Sequence, residues 1–222
     1  MAGVNEQGEL RRIYPVPFIP HVYGGGIPFH KKEWIEAELR MPDNKREKRS
    51  ESREINMSSV KVLRKVDDDE VRRVVRSNLS VNIGELKTSG ASLGFIKPRV
   101  VDYECDIIST KTEDEQLQIT EEGVGTQSMI KLKQESVYHF DCQKRENCTC
   151  ANQPHRMIIQ DWEANELYRN VISRDKDPAV IKAKMRQRWF DSMLKRDIYF
   201  MLGTHFLHKT WMIVSVLYLK PH

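Results

Sequence analysis

The chain has 222 residues, of which 39% are hydrophobic and 31% charged, and its formal net charge is +4. This length suits one large domain or two small ones, and it is sufficient to bury a core without disulfides. The small positive excess excludes a histone-like polycation but permits binding to nucleic acid or to an acidic protein. The first residues carry no apolar signal core, and the longest apolar run, 211–219, is too short to span a membrane. We therefore expect a cytoplasmic protein without a membrane segment.

The N-terminal region is predicted to be rich in strands. Proline alternates with bulky apolar residues over 13–18, which indicates an edge strand or an extended loop. Apolar and polar residues alternate over 34–39, as in a half-buried strand, and a further strand is predicted over 60–66. The intervening charge-dense stretch, 42–58, has no apolar period and is predicted to be a flexible surface loop, with a phosphate-binding basic loop as the alternative.

The middle of the chain predicts two helices and then more strands. Asp67 and the two aspartates after it favour the positive end of a helix dipole, and Val71, Val74 and Val75 give that helix an apolar face. A second short helix is predicted between Ser80 and Gly90. Strand character returns over 94–108 and 130–140, on either side of a polar excursion at 109–127.

The C-terminal third has the clearest pattern. A strand over 155–160 is followed by Asp161 at the N-cap position of a helix. Asp177 and Pro178 start a second helix that is predicted to run to Arg196. Its apolar residues recur every four positions, at Ile181, Met185, Trp189 and Met193. Strands over 198–202 and 211–219 close the chain.

These elements predict an α+β fold with three regions. Residues 1–108 form a β-rich, barrel-like part with short helices, and residues 109–127 are the polar excursion. Residues 128–222 form an α+β part in which a helix pair packs on a sheet and a zinc knuckle stabilises the structure.

Cysteine is concentrated in one segment, because three of the four cysteines lie within nine residues. Thiolate and imidazole are the ligands that zinc prefers, and four of them close a tetrahedral site. We predict a structural Zn²⁺ site; its ligands are Cys142, Cys148, Cys150 and His155. Cys148 and Cys150 are only two positions apart, so the fourth ligand is either Cys150 or His139. The alternative is a loop with three solvent-facing thiols, and Cys105 is predicted to be a small buried residue.

Basic residues cluster in two segments that predict binding to DNA or RNA phosphates. The C-terminal helix carries six of them against one acid, Asp191; the six are Lys182, Lys184, Arg186, Arg188, Lys195 and Arg196. The polar stretch supplies Lys45, Arg46, Lys48 and Arg49. Tyr14, Phe18 and Trp34 could stack on bases, although Trp34 also suits the core. The alternatives are a solvated face and an acidic protein partner.

Two pairs of residues are candidates for catalysis. Asp161 and Glu163 could perform acid–base chemistry beside a metal ion, although both also suit the start of a helix. Glu85 and Lys87 form a Glu-x-Lys tripeptide of the kind found at the metal-binding end of restriction-type nucleases.

Four segments carry a family resemblance, and together they span nearly the whole chain. They are Leu10–Phe18; Ser92–Arg99; His155–Met157 through Asp161–Glu163, with Leu167 and Tyr168; and Tyr199–Thr204 with Trp211–Ile213. With these segments the chain resembles an uncharacterised prokaryotic protein family, which implies a shared fold and offers no catalytic residues to transfer. Members of that family open with an additional strand, so this chain is expected to begin inside the ancestral first strand. The N-terminal region is more weakly similar to β-barrel modules of the oligonucleotide-binding type.

Together these features predict a non-enzymatic nucleic-acid-binding or accessory subunit with a structural zinc site. A mobile-element or defence context rests on analogy alone. A metal-dependent nuclease and a protein–protein adaptor in a larger complex are the alternatives.

Overall fold

The computed structural model describes residues 1–13, 16, 29–43, 47, 49–107, 134–143, 154–205 and 209–221. Over these residues the fold is α+β, rich in strands with few helices, as the sequence predicts. Among them, no helix combines the length and apolar character needed to cross a membrane.

The first six strands form one sheet and one ribbon. The sheet consists of β1 (Ala2–Val4), β2 (Leu10–Ile13), β4 (Leu39–Arg40) and β5 (Ser52–Ile55), in the order β1-β2-β5-β4. The ribbon pairs β3 (Glu33–Glu36) with β6 (Lys61–Lys65) in antiparallel fashion. These strands close no barrel within the described N-terminal ranges, so the barrel-like expectation is not confirmed. The prediction of a flexible loop over 42–58 is wrong for its second half. This part of the chain contains β5 and the start of a 3-10 turn, Met57–Ser59.

Two capped helices follow the ribbon. Asp67 caps α1 (Asp68–Ser77) by accepting a hydrogen bond from the Glu70 N–H. The short strand β7 (Leu79–Ser80) leads to α2 (Ile83–Thr88), where Asn82 caps the helix in the same way. Both helices lie where the sequence predicts them, because a side-chain cap and a few apolar residues suffice to mark a short helix.

The remaining strands form two sheets. β8 (Leu93–Ile96), β12 (Asp197–Thr204) and β13 (Trp211–Leu219) join β7 in the order β13-β12-β8-β7. β9 (Pro98–Ile107), β10 (Gln134–Cys142) and β11 (His155–Ile158) form a second sheet in the order β11-β10-β9. A bridge between Ile159 and Ile213 links the two sheets.

A helix pair packs on these sheets, as predicted. It consists of α3 (Trp162–Arg174) and α4 (Pro178–Arg186). The four-residue period is confirmed, since its members are at most 5% exposed: Ile181, Met185, Trp189 and Met193. The helix predicted to run to Arg196 is wrong in its last part. The chain there makes a π turn over Gln187–Asp191 and a 3-10 turn over Met193–Lys195.

Strand β12 is buried on both faces and separates two hydrophobic clusters. Phe200 and Leu202 join the cluster beneath the helix pair. Tyr199 and Met201, on the opposite face, join the smaller cluster that includes residues of α1. Fully burying a large apolar side chain contributes roughly 1.5–3 kcal/mol, so this strand is central to the stability of the C-terminal part.

Candidate nucleic-acid interface and metal ligands

The six basic residues predicted on the C-terminal helix divide into two groups of three. The first group forms ion pairs: Lys182 with Asp106 at 3.2 Å, Lys184 with Asp175 at 2.5 Å, and Arg186 with Asp102 at 2.7 Å. The carboxylates come from β9 and from the end of α3, so the one-sided charge of this helix in the sequence is compensated by the fold. These three cations are therefore weaker phosphate ligands than the sequence suggests.

The second group lies at one end of the β12–β13 pair. Arg188, Lys195 and Arg196 have no carboxylate within ion-pair distance in the described part of the chain. The antiparallel register ends with the pair Asp197 and Leu219, so Arg196 and Lys220 each adjoin this last pair along the chain. Lys195, Arg196 and Lys220 are exposed. We call Arg188, Lys195, Arg196 and Lys220 the basic rim.

A half-buried tyrosine and a cleft lie beside the basic rim. The Arg188 guanidinium carbon is 4.8 Å from the centroid of the Tyr218 ring. Tyr218 also borders a cleft of about 180 Å³, which is lined by Lys31, Lys32, Glu163, Val216, Leu217 and Tyr218. The Tyr218 hydroxyl donates a hydrogen bond of 3.0 Å to Glu163 Oε2. Burial, and then the negative charge of Glu163, raise the pKa of Tyr218, so the phenol stays neutral at physiological pH.

Asp161 is fully buried, and both of its carboxylate oxygens are engaged. Oδ1 accepts the α3 cap hydrogen bond from the Glu163 N–H at 2.8 Å. Oδ2 accepts hydrogen bonds of 2.6 Å from Lys31 Nζ and of 2.6 Å from the Val216 N–H. Lys31 Nζ is also 3.3 Å from Glu163 Oε2. The capping interpretation of Asp161 thus fits the structure, and both carboxylate oxygens accept hydrogen bonds from the protein.

Glu85 makes a local backbone contact, and Lys87 is exposed. Glu85 Oε2 accepts a hydrogen bond of 2.6 Å from the Val81 N–H at the start of α2. Lys87 acts electrostatically on His155. No three His, Cys, Asp or Glu side chains in the described ranges form a group that could hold a metal ion. The described residues therefore supply no metal cluster for a nuclease.

Two of the predicted zinc ligands are adjacent. Cys142 ends β10 and is 2% exposed, while His155 begins β11. Cys142 Sγ lies 3.4 Å from His155 Nε2. Burial, and then the charge of Lys87, lower the pKa of His155, which favours the neutral imidazole. Cys148 and Cys150 lie outside the described residues.

His139, the alternative fourth ligand, lies elsewhere. His139 Nε2 is 3.0 Å from Glu104 Oε1, a residue of β9. The role of His139 as a zinc ligand stays a prediction.

The other predicted site residues have structural contacts or lie outside the described ranges. Arg49 pairs with Glu47 and donates a hydrogen bond of 3.0 Å to the Thr204 carbonyl. Trp34 is half-buried, and its Nε1 donates a hydrogen bond of 2.8 Å to Glu70 Oε1. Cys105 is buried, as expected. The residues outside the described ranges are Tyr14, Phe18, Lys45, Arg46 and Lys48.

Sequence reasoning missed Lys31, Lys220 and Tyr218. Lys31 follows a glycine-rich stretch, and nothing local marks it as the partner of a residue in the C-terminal third. Lys220 directly follows the strand predicted over 211–219, so the sequence does show that a cation lies at the end of this strand. Its position at the same strand end as Arg196 depends on the register of β12 and β13, which the sequence does not specify.

Family comparisons divide the chain in two. Residues 82–222 match the family model described as "Domain of unknown function (DUF8757)". Residues 1–79 match the one described as "Domain of unknown function (DUF8758)". The two matched ranges meet at residues 79–82, N-terminal to the predicted division at residue 108. No curated protein and no solved structure matches the chain.

Proposed function

The chain belongs to the family described as a domain of unknown function (DUF8757), and we propose that it is a non-enzymatic nucleic-acid-binding or accessory protein. The observation that carries this proposal is the basic rim, whose four cations surround one end of β12 and β13 without carboxylate partners in the described ranges. Phosphate groups are the ligands that such a set of cations would bind, with release of the counterions condensed on the nucleic acid.

The neighbouring residues support a backbone-binding role. The Tyr218 ring lies against the Arg188 guanidinium, and its hydroxyl donates a hydrogen bond to Glu163, so an aromatic ring adjoins the rim. Arg188 and Lys195 lie within two short helical turns, Arg196 precedes β12 and Lys220 follows β13, which limits their backbone freedom. A rigid set of cations loses less conformational entropy on binding than a disordered tail.

Salt dependence tests the proposal directly. Four phosphate contacts give a slope of roughly −3 to −4 in log K against log salt, so affinity should fall roughly a hundredfold between ~50 and ~200 mM. Fluorescence anisotropy with labelled single-stranded DNA, single-stranded RNA and duplex DNA would measure it. Binding that is absent at ~50 mM salt, or that does not weaken with salt, contradicts the proposal.

The same oligonucleotides test the nuclease alternative. We expect no cleavage with magnesium or manganese, because Asp161 is buried and committed to Lys31 and to the Val216 N–H. Metal-dependent cleavage that Glu163→Gln abolishes, while binding persists, would favour the enzyme instead.

A specific observation also favours the adaptor function, through a different surface. All five residues of β6 are exposed, and Val62 and Leu63 are 45% and 56% exposed. Its only partner among the described strands is β3, so one edge of β6 offers backbone groups to another strand. Its cations are Lys61, Arg64 and Lys65; Lys61 pairs with Glu36 and Arg64 with Glu70, which leaves Lys65 without a carboxylate partner in the described ranges. We therefore propose an acidic extended segment of another protein as its ligand.

A second copy of this chain fits that edge poorly. Antiparallel pairing of two β6 strands about Leu63 would place Lys61 opposite Lys65, and like charges in directly opposed positions are unfavourable. An acidic partner strand would instead meet opposite charge at each end and apolar side chains in the middle.

A further inference from the structure

We propose that the cleft beside Tyr218 takes one unpaired base of a single-stranded nucleic acid, an inference that rests on phosphate binding at the basic rim. The cleft has a volume of about 180 Å³. Pockets for drug-sized ligands usually measure roughly 300–1,000 Å³, so this cleft suits a single flat ring rather than a whole nucleotide.

The outer edge of β13 borders the cleft, and side chains close this edge on both sides of it. On one side, the Val216 N–H donates a hydrogen bond of 2.6 Å to Asp161 Oδ2, and the Val216 carbonyl accepts one of 3.2 Å from Lys31 Nζ. On the other side, the Lys220 N–H donates a hydrogen bond of 2.8 Å to Asp68 Oδ2. Side chains thus replace a neighbouring strand at both ends of this edge.

Tyr218 lies between these two contacts, and its backbone N–H remains for a ligand. Its carbonyl accepts a hydrogen bond of 3.2 Å from Lys32 Nζ. Because the backbone groups of an antiparallel strand alternate in direction, the Tyr218 N–H points to the same edge as those of Val216 and Lys220. Among the described residues, no side chain accepts a hydrogen bond from it. This N–H therefore offers a hydrogen bond to an acceptor in the cleft.

The charges around the cleft balance one another, which favours a neutral ligand. Lys31 pairs with Asp161 at 2.6 Å, and Lys32 pairs with Asp68 at 2.8 Å. A phosphate in the cleft would have to compete with these carboxylates for both ammonium groups, whereas a neutral ring leaves the ion pairs intact.

Glu163 supplies an acceptor beside the Tyr218 N–H. Its Oε2 accepts the hydrogen bond from the Tyr218 hydroxyl, while its Oε1 accepts no hydrogen bond from the described residues. The cleft thus combines a carboxylate acceptor with a backbone donor. The edges of nucleobases carry both amino donors and carbonyl or ring-nitrogen acceptors, so they complement this pair of groups.

Arg188 connects the cleft to the basic rim. Its guanidinium carbon lies 4.8 Å from the centroid of the Tyr218 ring, and Tyr218 lines the cleft. A strand whose phosphates lie on the rim therefore has a neighbouring base within reach of the cleft. In a duplex the base is stacked and its pairing edge is occupied by the opposite strand, so only an unpaired base enters.

Fluorescence anisotropy with the full chain and two single strands of equal length tests the proposal; one strand carries its bases and the other is abasic. We expect the base-bearing strand to bind roughly fivefold or more tightly than the abasic one at the same salt concentration, the factor that one contacted base contributes. The slope of log K against log salt should be equal for the two strands, because they carry the same phosphates.

Glu163→Met removes the acceptor of the cleft, and Glu166→Met is the matched control. Glu166 lies on the same helix, outside the cleft lining, and its substitution removes the same charge. We expect the ratio of base-bearing to abasic affinity to fall toward one in Glu163→Met and to persist in Glu166→Met. Binding of a fully paired duplex should respond equally to the two substitutions.

Salt-dependent binding of equal strength to the base-bearing and abasic strands would overturn the cleft as a base site and leave the basic rim in place. This comparison uses the wild-type protein, so it decides the question even if Glu163→Met fails to fold. An affinity ratio that Glu163→Met leaves unchanged, or that both substitutions lower equally, would also overturn the cleft. Absence of binding to every oligonucleotide would instead contradict the basic rim, and the base site with it.

Discussion

Lys31 Nζ lies 2.6 Å from Asp161 Oδ2, although the two residues are 130 positions apart in the chain. The contact joins the segment before the ribbon to the start of α3, and so connects the ranges matched by the two family models. Asp161 is fully buried, while the Lys31 side chain is 24% exposed. The pair therefore links the two parts of the chain through a carboxylate shielded from water.

Removal of Lys31 should destabilise the protein strongly. Lys31→Met leaves the buried Asp161 charge without its cation, and we expect the free energy of unfolding to fall by about 2–3 kcal/mol. Urea denaturation at neutral pH measures the loss. Lys61→Met is the matched control, because the Lys61–Glu36 pair is exposed on both sides, and its loss should cost less than about 1 kcal/mol. Equal losses in the two variants would show that the Lys31–Asp161 pair contributes no more to stability than an exposed ion pair.

The contacts of Arg64 and Trp34 with Glu70, which join the β3–β6 ribbon to α1, should make the stability of the protein depend on pH. Arg64 donates two hydrogen bonds of 2.7 Å to Glu70, and Trp34 Nε1 donates a third of 2.8 Å. Hydrogen bonds from Arg64, and then from Trp34, lower the pKa of Glu70 from 4.5 to about 2. A carboxylate whose pKa is depressed in the folded state stabilises it above the unfolded pKa, and this stabilisation is lost as pH falls.

The stability difference between wild type and Glu70→Gln should therefore be largest near pH 7 and shrink as pH falls from about 4.5 toward about 2. Urea denaturation at several pH values between these limits checks the trend. Glu36→Gln on the same ribbon controls for the loss of an exposed carboxylate. If the difference in the free energy of unfolding stays constant with pH, the charge of the Glu70 carboxylate does not contribute to stability.

The β6 edge should prefer acidic peptides. A peptide that alternates glutamate and valine should shift the amide NMR signals of Lys61–Lys65, whereas its lysine counterpart should not, because only the acidic peptide complements the charges of β6. Leu63→Asp should abolish the shifts, since it adds a like charge at the centre of the edge. Equal binding of both peptides, or shifts spread over the whole protein, would contradict a docking role for β6.

Much of the fold could be predicted because its signals are local. The N-caps at Asp67, Asp161 and Asp177 accept hydrogen bonds from the first turn of their helices, as their sequence positions suggest. The four-residue apolar period identified the buried face of α4. In contrast, β5 was hidden in a charged stretch, because its pairing with β2 and β4 depends on strands distant in sequence.

The candidate interface was predicted only in part, because charge compensation is tertiary. Arg186 and Asp102 are 84 positions apart, and no local pattern shows that they meet. Arg196 and Lys220 adjoin the same strand end only through the register of β12 and β13. The sequence could thus identify basic residues, while the fold decides which of them keep their charge available.

The most direct measurement compares two triple alanine variants of equal charge in a nucleic-acid-binding assay. One variant removes Lys195, Arg196 and Lys220 from the basic rim, and the other removes the ion-paired Lys182, Lys184 and Arg186. For the rim variant, we expect the slope of log K against log salt to become shallower by about 2–3, and affinity at ~50 mM salt to fall at least tenfold. For the ion-paired variant, we expect the slope to change by less than about 1. Equal effects of the two variants, or a larger loss in the ion-paired one, would contradict the basic rim as the nucleic-acid-binding surface.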